Sequence, residues 1–220
     1  MYSFKKIKYE ASKEILLDGN YEDFDTVKNK YDLIYERKPK YGDYCRTKFY
    51  ERLKKLIVDK NITSVLDIGT GNGHFCEWAY NNICKNVYGL DFASKFSQQY
   101  IDLGIKFIKA PSHEIPLPDK SIDLITSFDF MEHIHPDYLE ETISEMKRVG
   151  RKYMCHKIAY GPSSFWHEKV GQLHLIQEDN EFWIDQVFKP AFSNAQYISR
   201  IVDKDNTKKS HSIKMYFIDI

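Results

Sequence analysis

"VLDIGTGNG" occupies residues 65–73. Val65, Leu66 and Ile68 flank the acid Asp67, and the run leads straight into glycines at alternate positions, Gly69, Gly71 and Gly73. The stretch "SVLDIG" reads as a short buried strand, and "HFCEWAYNNI" directly after the glycines reads as a helix. Glycine adopts φ > 0 without steric cost and lets another group approach the backbone. The N-terminus of the following helix presents N–H groups that have no partner within the helix. In an open parallel sheet, the first strand–helix turn is where nucleotide-like ligands sit. The alternative is a tight turn needed only for packing, and three alternate glycines beside Asp67 weigh against it.

Working outward, strand and helix alternate from Thr63 onward. "NVYGLD" is a strand, and "SKFSQQYIDLG" a helix with Ser94 as its N-cap and Gly104 at its end. "KFIKA" and "IDLITSF" are strands. "PDYLEETISEMKRVG" is a helix with Pro136 in its first turn and Leu139, Ile143 and Met146 on one face. "KYMCHKIAY" is a strand. This alternation predicts an α/β fold with a parallel sheet covered on both faces. After the helix "EFWIDQVFKPAF", the strands "NAQYISRIVD" and "SIKMYFIDI" are separated by "KDNTKKSH", which predicts a closing antiparallel hairpin. Upstream, "YERKPKYGDY" is turn-like, and Tyr44 to Asp59 is helical with Phe49, Leu53, Leu56 and Ile57 on one face. The expected division is a helical lid over 1–60 and a main domain over 61–220, with an insert at about 161–180.

Bulk properties narrow the function classes. The 220 residues, 42% hydrophobic, suit one large domain with a core. Lys plus Arg and Asp plus Glu are 32 each, so no net field gathers nucleic acid. No apolar run has the length of a membrane span, and the start, MYSFKKIKYE, lacks the apolar centre of a signal peptide. Cys45, Cys76, Cys84 and Cys155 are scattered without a CxxC pair, which reads as reduced core thiols of a cytoplasmic protein.

The glycine spacing selects among ligands. A dinucleotide fingerprint fails at His74, where Gly or Ala is required, and no Lys-Ser/Thr pair follows Gly73 as a P-loop demands. The pattern Asp67-x-Gly69-x-Gly71-x-Gly73 resembles motif I of the class I S-adenosylmethionine-dependent methyltransferases. Asp91, ending "VYGLD", stands where that family has the acid that holds both ribose hydroxyls, and a carboxylate suits a diol because it accepts two hydrogen bonds. "APSHEIPLPDKSIDLITSFDFMEHI" resembles the family's stretch from an acid through a turn to a strand ending in "EH". The resemblance runs from about Ser64 to Ile158. It implies a Rossmann-like three-layer sandwich with a mostly parallel seven-stranded sheet, and S-adenosyl-L-methionine as the cofactor. It also implies cofactor contacts from Asp67, Gly69, Gly71, Gly73, Asp91, Phe92, Ser112, His113 and Ser127. One departure is Pro111, where many relatives carry the Asp that binds the adenine amino group. Proline offers only its carbonyl, so that contact falls to Ser112 or His113 and their backbone.

The cofactor's methyl sits on a sulfonium, so the protein supplies orientation and, for a hydroxyl acceptor, a base. Histidine titrates in the useful range. "MEHIHP" offers Glu132, His133 and His135 after the fourth strand, and "WHEKVGQLHL" offers His167 and His174 in the insert. His133, His167 and His174 are the catalytic candidates. A structural role at His133 and a solvated loop at His167 and His174 are the alternatives, and His135 before Pro136 reads as a helix-start residue. The histidine spacing matches no zinc framework, so no metal site is expected. The insert Gly161 to Asn180, with Phe165 and Trp166, is the expected substrate contact. It loosely resembles methyltransferases of bacterial surface-sugar and small-metabolite pathways, although Phe182, Trp183 and Phe188 fit core packing equally well. "YERKPKYGDYCRTKFYERL" also resembles the segment before motif I that folds over the cofactor in those enzymes, which implies roles for Tyr41, Tyr44 and Arg46, with the Arg pairing the methionine carboxylate; a packed surface helix is the alternative.

The expected function is methyl transfer to a small-molecule acceptor such as a sugar or metabolite hydroxyl. A nucleic-acid methyltransferase and a non-catalytic cofactor-binding protein are the alternatives. The stretch "SFDFMEH" is not the Asp/Asn-Pro-Pro-aromatic motif of amino-directed DNA enzymes, and no Pro-Cys pair occurs. The sequence leaves the acceptor atom and the oligomeric state open.

Overall fold

The computed structural model describes residues 24–37, 47–93, 96–163, 166–167, 171–193, 197–202 and 213–220. Strands β1 (Val65–Ile68) and β4 (Ile122–Phe128) are buried along their whole length. That is what continuous apolar runs produce when both faces of a parallel sheet are covered. They lie side by side at the centre of a seven-stranded sheet with β2 (Val87–Asp91), β3 (Lys106–Lys109), β5 (Gly150–Ala159), β8 (Tyr197–Val202) and β9 (Ile213–Asp219). The order is β3-β2-β1-β4-β5-β9-β8. The first five strands pair in parallel, β9 runs antiparallel to β5, and β8 antiparallel to β9. The expected seven-stranded α/β sheet with its closing hairpin is therefore present. The returning strand β9, rather than β8, docks on β5, with Tyr153 opposite Asp219 and Ala159 opposite Ile213.

Neighbouring strand residues point to opposite faces, and this divides the core into two layers. Leu66, Ile125, Met154 and Tyr216 belong to one cluster, while Val65, Leu124, Cys155 and Phe217 belong to the other. The first layer is closed by α5 (Leu139–Val149), through Leu139, Ile143 and Met146, and by the π-helical segment Phe182–Phe188. Phe182, Trp183 and Phe188 are buried there, so the aromatics after the insert are core. The second layer is closed by α2 (Thr47–Ile57) and α3 (His74–Asn82), through Tyr50, Leu53, Ile57, Phe75 and Cys76. Phe49 and Leu56 pack partly buried against it.

Some boundaries differ from the sequence reading. Helix α4 covers Gln98–Asp102, with Ser97 in the N-cap position; the expected cap, Ser94, lies outside the described residues. Gly104 ends that segment at φ +90°, as expected of a glycine after a helix. The helix expected from Pro136 opens with a 3-10 turn, Pro136–Tyr138, before α5. His135 caps that turn, its Nδ1 accepting from the Asp137 N–H at 3.2 Å, so it is a helix-start residue. The insert carries a small antiparallel pair, β6 (Trp166–His167) with β7 (Gly171–Gln172). Cys76 and Cys155 are buried free thiols and Cys84 is half-buried; Cys45 lies outside the described residues. Helix α1 (Phe24–Arg37) rests on the insert, with Ile34 buried against Leu173. No helix among the described residues is long and apolar enough to cross a membrane.

Candidate functional site

The sheet order reverses between β1 and β4: the chain leaves β1 toward β2 and β3, then returns to β4 on the other side. Such a switch point leaves a crevice at the carboxyl ends of the strands. The glycine turn forms one wall of it. The N–H groups of Gly69 and Thr70 donate to the Leu90 carbonyl at 2.8 and 3.1 Å, tying the turn to the end of β2. Gly69, Gly71 and Gly73 all have positive φ, +70°, +55° and +93°. Packing accounts for two of them as well. A Cβ at Gly69 would stand 2.2 Å from the Phe130 ring, and one at Gly73 would stand 2.9 Å from Phe107. At Gly71 the nearest group is the Tyr35 hydroxyl of α1, at 3.2 Å. Gly71 therefore opens toward α1 and not into the core.

Two acids brace this wall. Asp67 accepts from the Thr126 hydroxyl at 2.8 Å, across the β1–β4 ladder. Asp91 accepts the Gly71 N–H on Oδ2 at 2.9 Å and the Ala93 N–H on Oδ1 at 3.0 Å. A carboxylate has about four acceptor positions, so these two bonds are compatible with accepting a diol as well. Phe92, next along, meets the Tyr31 ring edge-on at 5.9 Å.

The remaining expected cofactor residues are engaged within the protein. The Ser112 hydroxyl bonds that of Thr142 at 2.9 Å, and His113 stacks on Tyr138 at 4.2 Å between ring centroids. The Ser127 hydroxyl bonds Nδ1 of His156 at 2.9 Å, with both side chains fully buried. Burial pushes the His156 pKa down to about 3, so the imidazole is neutral, and its ring stacks on Phe188.

The opposite wall follows β4. A 3-10 turn, Met131–His133, carries Glu132 into the interior. Oε1 of Glu132 accepts from the Ala159 N–H at 3.0 Å. Its backbone carbonyl accepts from Leu175 and Ile176 at 2.8 and 3.0 Å, which pins the insert to the end of β4. Oε2 is buried and has no hydrogen-bond partner among the described residues. Burial first, and then the neighbouring Asp129 charge, push the carboxyl up to about 8, against the pull of backbone N–H groups and Lys157. Asp129, at φ +53°, pairs with the buried Lys157.

His133 and His174 meet beside Glu132, their rings edge-to-face at 4.8 Å. Nδ1 of His133 lies 2.9 Å from the Leu173 carbonyl and 2.8 Å from the Tyr31 hydroxyl. Nδ1 of His174 lies 2.7 Å from the Gly161 carbonyl. A carbonyl only accepts, so each Nδ1 carries a proton and, in the neutral ring, the lone pair sits on Nε2. The structure thus joins two of the three candidate histidines. His167 is in β6, and its side chain lies outside the described residues.

Tyr31 and Tyr35 were not among the expected site residues, and Glu132 stood beside the candidate histidines without an assigned role. Val27, Tyr31, Ile34 and Tyr35 recur at helical spacing along α1, a stripe that could have marked the helix as one that covers something. Nothing in the sequence separates the buried Glu132 from a surface acid. Tyr41, Tyr44 and Arg46 lie outside the described residues.

Residues 66–153 match a family described as "Methyltransferase domain". The chain is 32% identical over 134 residues to the demethylmenaquinone methyltransferase of Thermotoga maritima, a match covering 58% of this chain and 57% of that protein. The chain thus spans a little over half the length of that curated relative. Among solved structures, it resembles the Burkholderia thailandensis 1,6-didemethyltoxoflavin-N1-methyltransferase with bound 1,6-didemethyltoxoflavin and S-adenosylhomocysteine. The TM-score is 0.67 at 14% identity, over 92% of both chains. It also resembles an S-adenosylmethionine-dependent methyltransferase from Clostridium acetobutylicum, with a TM-score of 0.59 at 16% identity, over 87% of this chain and 98% of that one. The glycine turn, the acid ending β2 and the sheet order thus accompany a methyltransferase-domain match over residues 66–153 and a fold shared with S-adenosylmethionine-dependent methyltransferases.

Proposed function

We propose that this protein transfers a methyl group from S-adenosylmethionine to a small-molecule acceptor held between the glycine turn and the His133–His174 wall. The observation that carries the reading is the Gly71 backbone. It stands at positive φ at the switch point, its N–H is held by Asp91, and it opens under Tyr35. When bound, the cofactor supplies a sulfonium methyl, so that the bond from acceptor to carbon forms as the sulfur–carbon bond breaks and a neutral thioether leaves.

The chain's own residues have separate tasks in this scheme. Asp91 accepts the ribose diol while bracing the turn, and Phe92 and the backbone near Ser112 and His113 line the adenine side. Helix α1 acts as a lid, with Tyr31 and Tyr35 limiting water at the reacting atoms. For a hydroxyl acceptor, the lone pairs on His133 and His174 face the proton that must leave. Two relatives named above methylate small molecules by name, and the balanced charge of the chain gives no field for nucleic acid.

The test is calorimetric titration with S-adenosylmethionine, followed by an acceptor screen scored by S-adenosylhomocysteine release. One equivalent of cofactor should bind, and release should be driven by small hydroxylated metabolites and not by oligonucleotides. Absence of cofactor binding would contradict the reading, and turnover confined to oligonucleotides would move it to nucleic acid.

A further inference from the structure

We infer that Glu132, His133 and His174 form a binding site for one first-row divalent cation, of the Zn²⁺, Mn²⁺ or Co²⁺ type, at the acceptor side of the cleft. Each of the three side chains offers a ligand atom, and these atoms lie within 4.8 Å of one another. Donors bound tetrahedrally at roughly 2.0–2.2 Å from one ion stand about 3.3–3.6 Å apart. Binding therefore draws the widest pair together by at most about 1.5 Å, a distance that side-chain rotation spans.

Three further observations point to a cation and not to a chance cluster. The first is Oε2 of Glu132. This carboxylate is fully buried, one oxygen is satisfied by Ala159, and the other has no hydrogen-bond partner among the described residues. A buried polar atom without a partner is costly in a native fold, and a bound ion is one of the few reasons for it. The nearby cation Lys157 pairs with Asp129.

The second is the histidine geometry. Both Nδ1 atoms face backbone carbonyls, Leu173 for His133 and Gly161 for His174. Metal-ligating histidines almost always direct the other N–H to a carbonyl or carboxylate, which fixes the tautomer and aims Nε2 at the ion.

The third is the rigidity of the frame. The ligands come from two distant segments, yet the Glu132 carbonyl holds Leu175 and Ile176 while the Leu173 carbonyl holds His133. Backbone hydrogen bonds thus lock the two segments together around the cluster.

Two imidazoles and one carboxylate favour zinc, manganese or cobalt over magnesium or calcium, which prefer all-oxygen shells. Three protein ligands leave a coordination position for an acceptor oxygen. The role of the ion in catalysis rests on the methyl-transfer reading; its binding does not. A coordinated hydroxyl loses its proton to water more readily, because the cation stabilises the oxyanion. With the ion bound, the imidazole lone pairs that would otherwise face the proton hold the cation, and the proton passes to water. Tyr31 links this site to the cofactor side, its hydroxyl 2.8 Å from His133 Nδ1 and its ring 5.9 Å from Phe92.

The experiment uses the full chain, stripped with a chelator and titrated with Co²⁺, followed by its visible absorption and by calorimetry, with S-adenosylmethionine titrated in parallel. One equivalent of Co²⁺ should bind and develop the absorption of a nitrogen-and-oxygen site of low coordination number. Zn²⁺ should displace it. Glu132→Gln, which keeps an acceptor for Ala159, and His174→Ala should each weaken Co²⁺ binding by at least about 10–100-fold, the cost of disturbing even an outer partner of such a site. Circular dichroism checks folding. If His174→Ala does not fold, the Glu132→Gln variant and the wild-type stoichiometry still decide. Cofactor binding with no saturable Co²⁺ uptake, or Co²⁺ binding unaltered in Glu132→Gln, overturns the cation site and leaves methyl transfer standing. Co²⁺ uptake without cofactor binding supports the cation site and removes methyl transfer instead.

Discussion

At the ends of β1 and β2 the cleft is made of backbone; at the ends of β4 and β5 it is made of side chains. On the first wall, three glycines at positive φ expose main-chain atoms, and Asp91 works by gripping the Gly71 N–H. On the second wall, Glu132, His133 and His174 project from a 3-10 turn and an insert held together by the Glu132 and Leu173 carbonyls. The difference has a physical cause. A cofactor of fixed shape can be met by a fixed backbone turn, which leaves a short local pattern in the sequence. An acceptor and its proton need chemistry that only side chains carry, and these are gathered from segments far apart in the chain. The cofactor wall should therefore fail through changes in backbone conformation, and the acceptor wall through loss of single functional groups.

The largest effect expected from this contrast is at Gly71. Gly71→Val places a branched side chain at φ +55°, under Tyr35, and should abolish measurable S-adenosylmethionine binding while circular dichroism shows a folded chain. A folded variant with normal affinity would break the assignment of that wall. Next is His174→Ala, which removes a group from the other wall. Turnover should fall about 10²–10⁴-fold with cofactor affinity nearly unchanged. A parallel loss of cofactor affinity would mean that the walls are not separable.

Asp91→Ala should weaken cofactor binding by about 1.5–3 kcal/mol in a calorimetric titration, since hydrogen bonds to a charged acceptor are lost. Unchanged affinity would show that Asp91 serves only to brace Gly71. Beneath the side-chain wall, His156 makes stability depend on pH. Its folded pKa is pushed down to about 3 by burial, whereas the unfolded ring titrates near about 6.5. Between these values the unfolded chain binds more protons, so the contribution of this residue is complete above about pH 6.5 and is lost as the pH falls. The slope is at most about 1.4 kcal/mol per pH unit. Urea denaturation between neutral pH and pH 5 should be flatter for His156→Asn than for the wild type. The smallest effect is at Tyr31→Phe, which removes one hydrogen bond to His133 while keeping the ring on Phe92. Turnover should change by about 0.5–1.5 kcal/mol of barrier, and a larger loss would make the lid tyrosine a chemical participant.

The sequence by itself determined the sheet, because buried parallel strands leave continuous apolar runs and the helices between them leave a 3.6-residue stripe. It also marked the wall proposed for the cofactor, since Asp67, the three glycines and Asp91 shape local backbone geometry that residue type announces directly. Even there, only the tertiary structure separated Gly71, which faces the lid, from Gly69 and Gly73, which also make room for Phe130 and Phe107. It was likewise the fold that directed the Ser112 and Ser127 hydroxyls to Thr142 and His156, and that brought Tyr31 to His133 and Tyr35 over Gly71. Above all, the fold decided the surroundings of Glu132. Its burial, its one satisfied oxygen and its meeting with His174 depend on the insert crossing back over β4. Desolvation and long-range contact are properties of the folded surroundings and leave no local pattern in the order of residues.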